Sequence, residues 1–430
     1  MPRKKVVLAY SGGLDTSVIC HWLASRGYEV ICCVVDVGQG DLFGLKEKAL
    51  ASGAYDFVLR DAKYEFIKSG LFQCLRVQAR YEGEYLLGTA IARPFIAKKV
   101  IDVAKERGAV AVAHGATGKG NDQVRFELAV CSIDDSLMVI APWRDKQFRK
   151  AIPGRKEAIE YASKNNIPIS NTQSKPWSTD KNIGHTSHEA GRLEDPWQSP
   201  PDDIFEMSYC PWIKEEYLDI SLIFKDGEVS GVRSQNNKDS VEIIISFEDG
   251  FPVCVNYFGN DDLTIIKTLN ACAGARGIGV IDTVEDRIVG MKARGVYEAP
   301  GMTLLYAAHL ALLKLCLSKE DLHHLLHASI DYGRLVYEGR WFSDEKESMD
   351  SIIDTWNKKV TGDVRLLLHK GGFRIAGRRS PYSLYSEGLA TMEGGEEFFN
   401  QDDASGFLKI SGIEAKIQAK RRRMIYGRAE

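Results

Sequence analysis

Ala9-Tyr-Ser-Gly-Gly-Leu-Asp-Thr-Ser17 lies between an apolar run, Val6-Val-Leu-Ala-Tyr10, and a helical pattern, Val18-Ile-Cys-His-Trp-Leu23. A strand that breaks into Ser-Gly-Gly and then enters a helix makes a pocket for an anion. Glycine has no Cβ, so the backbone can approach a phosphate closely. Free N–H groups at the helix start, with the positive end of its dipole, point at the charge. Ser11, Thr16 and Ser17 add hydroxyl donors. A glycine-rich turn with a hydroxyl helix cap would share part of this pattern. The order strand, loop, helix favours the anion site. Two related motifs are excluded by spelling. No lysine follows Gly13 at the Walker A spacing, and the adjacent pair Gly12-Gly13 is not Gly-x-Gly-x-x-Gly. Asp36 ends the next strand, where a ribose-binding acid would stand in a dinucleotide-binding protein. One acid at a strand end is weak support for that reading.

Outward from this loop, strand and helix alternate. Strands are expected at Val6–Tyr10, Val30–Val35, Tyr55–Leu59, Ala109–Ala113 and Leu137–Ala141. Helices are expected at Thr16–Ser25, Lys46–Ser52, Ala92–Arg107 and Pro153–Asn165. Such alternation predicts an α/β fold with a doubly wound, mostly parallel sheet. Ligands in that architecture sit beyond the carboxyl ends of the strands. Ile169–Asp203 reads as irregular, with a domain boundary near Asn171–Lys175. The expected division is a nucleotide-binding domain over 1–172, an α+β domain over 173–405 and a C-terminal helix over 406–430. In the second half, Ile220–Val232 and Val241–Val255 read as hairpins that repeat Phe-[Lys/Glu]-Asp-Gly, a tight-turn signal. Helices follow at Thr303–Leu317 and Lys319–Ser329, a hairpin at Val364–Ile375 and a basic helix at Ile413–Gly427.

The chain has 430 residues, 44% of them hydrophobic, and a formal net charge of −3. That length allows more than one domain, and that charge argues against non-specific nucleic-acid binding as the main function. Lys420-Arg-Arg-Arg423 is basic, but a charge run on a helix face is usually solvated or bridges subunits. The apolar run after Met1 is too short for a secretory leader, and no run approaches a membrane span. The nine cysteines include no Cys-x-x-Cys and are expected as free thiols, which suits the cytoplasm. His185-x-x-His188 and His323-His324-x-x-His327 lack further ligands at a familiar spacing. They are expected as surface or satisfied core histidines, and no protein-held metal is predicted.

His114-Gly-Ala-Thr-Gly-Lys-Gly-Asn-Asp-Gln-Val-Arg-Phe-Glu127 is the second informative run. Its glycines let the backbone fold around a ligand. Thr117, Asn121, Asp122 and Arg125 offer mixed donors and acceptors within one loop and the following turn. An arginine there suits a carboxylate held by two parallel hydrogen bonds. A third run, Pro176-Trp-Ser-Thr-Asp-Lys-Asn-Ile-Gly-His-Thr-Ser187, brings hydroxyls and an aromatic ring into irregular backbone.

Ser-Gly-Gly-x-Asp-[Ser/Thr] resembles the loop of the ATP pyrophosphatase superfamily. Further runs narrow the likeness: Asp36-Val-Gly-Gln39, Tyr85-Leu-Leu-Gly-Thr89, Ala92-Arg-Pro94, His114 to Glu127 and Ala141-Pro-Trp143. So do Leu193-Glu-Asp-Pro-Trp197, Gly290-Met-Lys-Ala-Arg-Gly-Val-Tyr-Glu298 and Ser380-Pro-Tyr-Ser-Leu-Tyr385. Together they resemble the argininosuccinate synthase family over most of the chain. The resemblance implies an ATP-dependent ligase that uses Mg²⁺ and joins citrulline to aspartate through citrullyl-AMP. It implies ATP binding by Ala9, Tyr10, Ser11, Gly12, Gly13, Leu14, Asp15, Thr16 and Ser17, with Val35 and Gly115 near adenine and ribose. Citrulline would meet Tyr85, Asn121, Arg125, Ser178, Ser187, Glu285 and Tyr297. Aspartate would meet Thr117, Asn121 and Asp122. No catalytic base is assigned. The resemblance makes 173–405 a synthetase and multimerisation domain and 406–430 an oligomerisation helix, since the family is usually a homotetramer whose C-terminal helix reaches a neighbour.

Two departures stand out. Ala90 replaces a serine found in some members, which removes one hydroxyl near citrulline. The second Phe-x-Asp-Gly hairpin exceeds the single copy expected. The rival reading is another adenylating member of the superfamily, of the tRNA-thiolating or amidotransferring kind. Thiolation often uses paired catalytic cysteines and amidotransfer needs a further domain with a nucleophilic cysteine; neither is visible here.

Overall fold

The strand that precedes Ser11-Gly12-Gly13 is the middle of a five-stranded sheet of order β3-β2-β1-β4-β5. The strands are β1 (Lys5–Ala9), β2 (Glu29–Asp36), β3 (Asp56–Asp61), β4 (Ala111–Ala113) and β5 (Met138–Ile140), all parallel. The computed structural model describes residues 3–40, 42–168, 177–208, 221–225, 228–233, 240–259, 261–390 and 401–427. Helices α1 (Leu14–Ser25) and α2 (Leu45–Ala51) follow β1 and β2. A helical segment comes next, made of α3 (Lys63–Glu65), a π turn at Phe66–Leu71 and α4 (Phe72–Arg76). Then come α5 (Gly88–Arg107), α6 (Asp122–Ile133), α7 (Lys146–Ala151) and α8 (Arg155–Lys164).

Alternation along the strands explains the two layers. Val6, Leu8, Val30, Cys32 and Val34 pack with Val18, Ile19 and Leu23 of α1 and with Ala158 and Ala162 of α8. Val7, Ile31, Cys33 and Val35 face the other way, into a core with Ile91, Phe95 and Val100 of α5 that continues into the second half. Strand order reverses between β1 and β4, and the crevice outside such a switch point is where ligands bind. The loops that leave β1 and β4 are Tyr10–Gly13 and His114–Asn121.

The second half is antiparallel. Strands β6 (Ser178–Asn182) and β7 (His185–Glu189) form a hairpin where irregular backbone was expected. They join β13 (Val280–Asp286) and β14 (Lys292–Glu298) in the order β13-β14-β7-β6. Strands β8 (Ser221–Lys225) and β9 (Glu228–Arg233) pair with each other. Strands β10 (Ser240–Glu248), β11 (Phe251–Val255), β12 (Phe258–Gly259), β15 (Gly362–His369) and β16 (Gly372–Arg379) make a five-stranded sheet. Both expected Phe-x-Asp-Gly hairpins form, and each has a register shift that falls at its phenylalanine, Ile223/Phe224 and Ser246/Phe247. Asp249 and Gly250 have φ of +49° and +78°, which suits a tight Asp-Gly turn. The corresponding Asp226-Gly227 lies outside the described residues.

Helices α9 (Asp262–Gly274) and α10 (Pro300–Cys316) pack on these sheets, and α11 (Lys319–Tyr337) packs on α12 (Asp344–Asn357) and α5. Helix α11 runs eight residues past the expected end at Ser329, to Tyr337. Contacts group Met1–Tyr382 as one body. The proposed boundary near Asn171–Lys175 falls outside the described residues. The second body, Ser383–Glu430, holds α13 (Glu387–Ala390) and α14 (Gln401–Tyr426). Helix α14 starts at Gln401 rather than Ile413 and leaves Phe407, Ile410, Ile413 and Ile417 exposed at helical spacing. Among the described residues, no helix is long and apolar enough to cross a membrane.

Candidate active site

Helix α1 begins without a side-chain cap: Gly13 is its N-cap residue and no side chain accepts from the first turn. Helices α7, α9, α11 and α12 are capped by Asp145, Asp261, Ser318 and Ser343. Helices α2, α5, α6, α8 and α10 also lack a side-chain cap, so it is the glycine loop before α1, together with its open amides, that suits an anion. Gly12 has φ +75°, and a Cβ there would stand 2.3 Å from Leu45 Cδ2. Ser11 Oγ lies 3.2 Å from Thr16 Oγ1, and Tyr10 Oη lies 3.0 Å from Ser17 Oγ. These contacts set the loop from within. Asp15 is exposed in the first turn, where the helix dipole favours a carboxylate, although desolvation by the surrounding chain raises its carboxyl and Arg155 only partly opposes this. Val35 is buried at the end of β2, and its carbonyl accepts from Gln39 Nε2 at 2.9 Å.

The loop after β4 spans two places. At Gly115 it touches the phosphate loop: a Cβ there would lie 3.2 Å from Thr16 Cγ2. From Ala116 onward it lines a cavity of roughly 230 Å³. Asn121 sits at the end of this loop, and Asp122 and Arg125 lie in α6 rather than in a turn. The opposite wall comes from the β13-β14-β7-β6 sheet. Tyr297 pairs with Ser187, and Ser187 with Asp180, so these residues share one face and line the cavity together. The hairpin tip anchors this wall to the first half. Ile183 N–H donates to the Val37 carbonyl at 2.9 Å, and Asn182 Nδ2 to the Gly88 carbonyl at 3.2 Å. A Cβ on Gly88 would lie 2.2 Å from His185 Cβ.

Charge in the cavity is paired in advance. Arg93 Nε donates to Asp122 Oδ2 at 2.8 Å, and its Nη2 to Asp180. Arg125 Nη1 donates to Asp122 Oδ1 at 2.9 Å, and its Nε to the Tyr337 carbonyl at 2.9 Å. Arg125 Nη2 is buried with no partner. The expected free fork is thus partly spent, and Nη2 is the guanidinium nitrogen left without a partner. Burial alone would raise the Asp122 carboxyl, but Arg93 and Arg125 outweigh it and hold the group below the usual carboxylate range. Glu285 behaves oppositely. Burial raises its carboxyl, although Tyr337 and Tyr297 donate to it at 2.7 and 2.9 Å. A buried carboxylate with hydroxyl donors and a nearby unpaired guanidinium N–H are complementary to a zwitterion.

Residues 5–168 match the family model described as arginosuccinate synthase N-terminal HUP domain, and residues 177–418 that of the arginosuccinate synthase C-terminal domain. The chain belongs to the argininosuccinate synthase family. It is 46% identical to the argininosuccinate synthase of Desulfitobacterium hafniense strain Y51, over 97% of this chain and 96% of that one. It is 47% identical to that of Caldanaerobacter subterraneus subsp. tengcongensis, over 97% and 95%. With the chloroplastic argininosuccinate synthase of Arabidopsis thaliana it shares 46% identity, over 97% and 79%. The chain is accordingly an ATP-dependent carbon–nitrogen ligase of the argininosuccinate synthase type.

Most residues singled out in the sequence converge. Tyr85, Thr117, Asn121, Asp122, Arg125, Ser187, Glu285 and Tyr297 line the cavity, while Ser178 is exposed at the far end of β6 and does not. Ala90 is fully buried and outside the lining. Arg93, Asp180, Glu189 and Arg287 also line it and had been given no role. Arg287 Nη2 pairs with Glu189 at 2.5 Å, closing one side of the mouth. The histidines divide. His188 is satisfied by Thr179 and by Glu298, whose carboxylate also takes the N–H groups of Glu206, Met207 and Ser208. His185 is buried with both ring nitrogens unpartnered, contrary to the expectation of a satisfied core histidine. His323, His324 and His327 are exposed, and among the described residues no cluster of metal ligands occurs.

Proposed function

We propose that the crevice at the β1–β4 switch point binds Mg-ATP and that the adjoining cavity binds citrulline and aspartate. The observation that carries this reading is the loop after β4, which touches the phosphate loop at Gly115 and lines the cavity from Ala116. The residues from Ala9 to Ser17 take the phosphates, with Val35 and Gly115 beside the nucleoside. Glu285 accepts from the citrulline ammonium and Arg125 Nη2 donates to its carboxylate. Tyr85, Asn121, Ser187 and Tyr297 complete that subsite, while Ser178, which does not line the cavity, is left out of it. Thr117, Asn121 and Asp122 hold aspartate, Asp122 accepting from its ammonium group.

The ureido oxygen of citrulline attacks the α-phosphorus; an O–P bond forms and pyrophosphate leaves. The aspartate ammonium gives up a proton, and the resulting amine attacks the ureido carbon; a C–N bond forms, the C–O bond breaks, AMP leaves and the nitrogen releases a second proton to solvent. A urea carbon is a poor electrophile, and adenylation makes its oxygen a leaving group. The chain's work is positioning and charge stabilisation. Mg²⁺ usually takes one or two carboxylates plus substrate phosphates, and exposed Asp15 offers one such donor beside the loop. The ion, when bound, neutralises phosphate charge. Asp15→Asn should impair adenylation, and normal activity across Mg²⁺ concentrations would reject that role.

We further propose a cytoplasmic homotetramer in which the exposed stripe of α14 packs on a neighbour. An isolated helix with such a stripe lacks a packing surface. Removing residues after Tyr382 should give a smaller particle by light scattering. The reaction itself is tested by product analysis with citrulline, aspartate and Mg-ATP. Argininosuccinate, AMP and pyrophosphate are expected; ADP and phosphate would overturn the assignment.

A further inference from the structure

Tyr337, the last residue of α11, touches three of the proposed ligand-binding residues without lining the cavity. Its phenol donates to Glu285 Oε1 at 2.7 Å and accepts from Asn121 Nδ2 at 2.8 Å. Its carbonyl accepts from Arg125 Nε at 2.9 Å. The ring lies 4.9 Å from the Arg125 guanidinium and is stacked on Tyr81 at 3.5 Å and 3°. Tyr337 is 1% exposed. The three partners come from different elements: Glu285 from β13, Asn121 from the loop after β4, and Arg125 from α6.

We infer that Tyr337 is a positioning residue that fixes the spacing between the ammonium acceptor Glu285 and the carboxylate donor Arg125, and so sets citrulline recognition without touching citrulline. This rests on the site reading above. A phenol has one proton, and a carboxylate can only accept, so the proton goes to Glu285. The Asn121 amide must then donate to the phenol oxygen. That turns Asn121 Oδ1 toward the Ile288 N–H, which donates to it at 3.0 Å. One hydroxyl therefore orients a carboxylate and an amide, while the carbonyl of the same residue holds the guanidinium. Packing alone needs the ring and its stack on Tyr81, but it does not need the hydroxyl.

The test is Tyr337→Phe in the full chain, which keeps the ring, its stack and the carbonyl. The KM for citrulline should rise roughly 10-fold or more, as for loss of one hydrogen bond to a charged group. The KM for ATP should hold within about twofold, since uniform binding at a separate subsite is untouched. The groups that face Glu285 are Tyr297, Tyr337, Arg125 and Arg287, with Tyr81 and Tyr85 also near enough to interact with it. Losing the Tyr337 hydroxyl makes Glu285 easier to protonate, so the acid limb of kcat/KM for citrulline should move to higher pH. A second variant with 3-fluorotyrosine at 337 keeps the hydroxyl and makes it a stronger donor, and should move that limb to lower pH. Unmoved limbs in both variants, or equal losses for all three substrates with a lowered unfolding temperature, would overturn the inference. If Glu285→Gln itself leaves the citrulline KM unchanged, the site reading fails instead. A change in Glu285→Gln without one at Tyr337 defeats only the positioning role.

Discussion

On the proposed reading, the loop after β1 and the cavity beside it would handle anions by opposite means. Around Ser11–Ser17 the donors are main-chain N–H groups left open because α1 has no cap, and the nearest acid, Asp15, is exposed. In the cavity the donors are guanidinium groups, each already engaged: Arg93 by Asp122 and Asp180, and Arg125 by Asp122 and the Tyr337 carbonyl. A backbone site depends on φ and ψ at a few positions. A paired-charge site depends on many side chains from separate elements. The first should fail abruptly at one glycine, and the second gradually along its network.

The sharpest test is Gly12→Ala. Gly12 holds φ +75°, and the new Cβ would meet Leu45 Cδ2 at 2.3 Å. Left-handed backbone costs a non-glycine residue about 1–2 kcal/mol. The larger effect is on catalysis, because displacing donors that are aimed at developing charge costs on the order of 10²- to 10³-fold. The adenylation rate should fall by that factor in single-turnover measurements. A variant with near-normal rates would show that side chains, not backbone, carry the phosphates.

Arg125→Lys probes the cavity next. Lysine keeps the charge but loses the Nε bond to the Tyr337 carbonyl and the planar reach to Asp122. Citrulline affinity should weaken by about 1.5–3 kcal/mol, the range for hydrogen bonds to charged groups. Calorimetry with nucleotide present reads this directly, and unchanged affinity would remove Arg125 from the subsite. Arg93→Lys should cost less, about 1 kcal/mol, since a lysine can still pair with Asp122 or Asp180. Its loss should appear in the KM for aspartate, because Asp122 is the residue that shifts. An equal loss for citrulline and aspartate would mean that the network acts as a whole.

The same contrast explains what could be read from residue order. The phosphate loop is contiguous, and its flanking strands are apolar on both faces, so Val6–Tyr10 and Val30–Val35 were placed within a residue or so of Lys5–Ala9 and Glu29–Asp36. The cavity draws on α5, α6, β6, β7, β13 and β14, and no local pattern joins them. Resemblance supplied Glu285 and Tyr297, but Arg93, Asp180, Glu189, Arg287 and Tyr337 acquire meaning only when the chain is folded. The β6–β7 hairpin was missed for a physical reason. Strands are recognised by apolar alternation, and Asn182, His185, Thr186 and His188 are buried polar residues. Pairing with β14 and the Glu298 anchor fix that backbone, rather than its own composition.

The weakest expected effect concerns His185, which packs against the stacked pair Tyr85 and Tyr297 at ring distances of 5.5 and 5.3 Å. Burial, and then the neighbouring His188, push its imidazole down from 6.5 to about 3. His309 is lowered to about 3 as well, chiefly by burial. Both rings are neutral in the folded chain, while the unfolded chain takes up protons once pH falls below about 6.5. Stability from both should therefore be fully present above that value and be lost progressively toward pH 3. His185→Phe deletes one of the two contributions and the two unpartnered nitrogens with it. At neutral pH the variant should gain about 1 kcal/mol, because leaving a buried polar group unsatisfied costs that order of free energy. Its unfolding free energy should also fall less steeply between pH 6.5 and 3 than that of the unaltered chain. Denaturant titrations at several pH values measure both quantities. Equal slopes with lower stability at neutral pH would mean that the His185 nitrogens are satisfied in solution. The cavity wall would then depend on a polar contact rather than on ring packing, and its supports would resemble the paired charges on the opposite side.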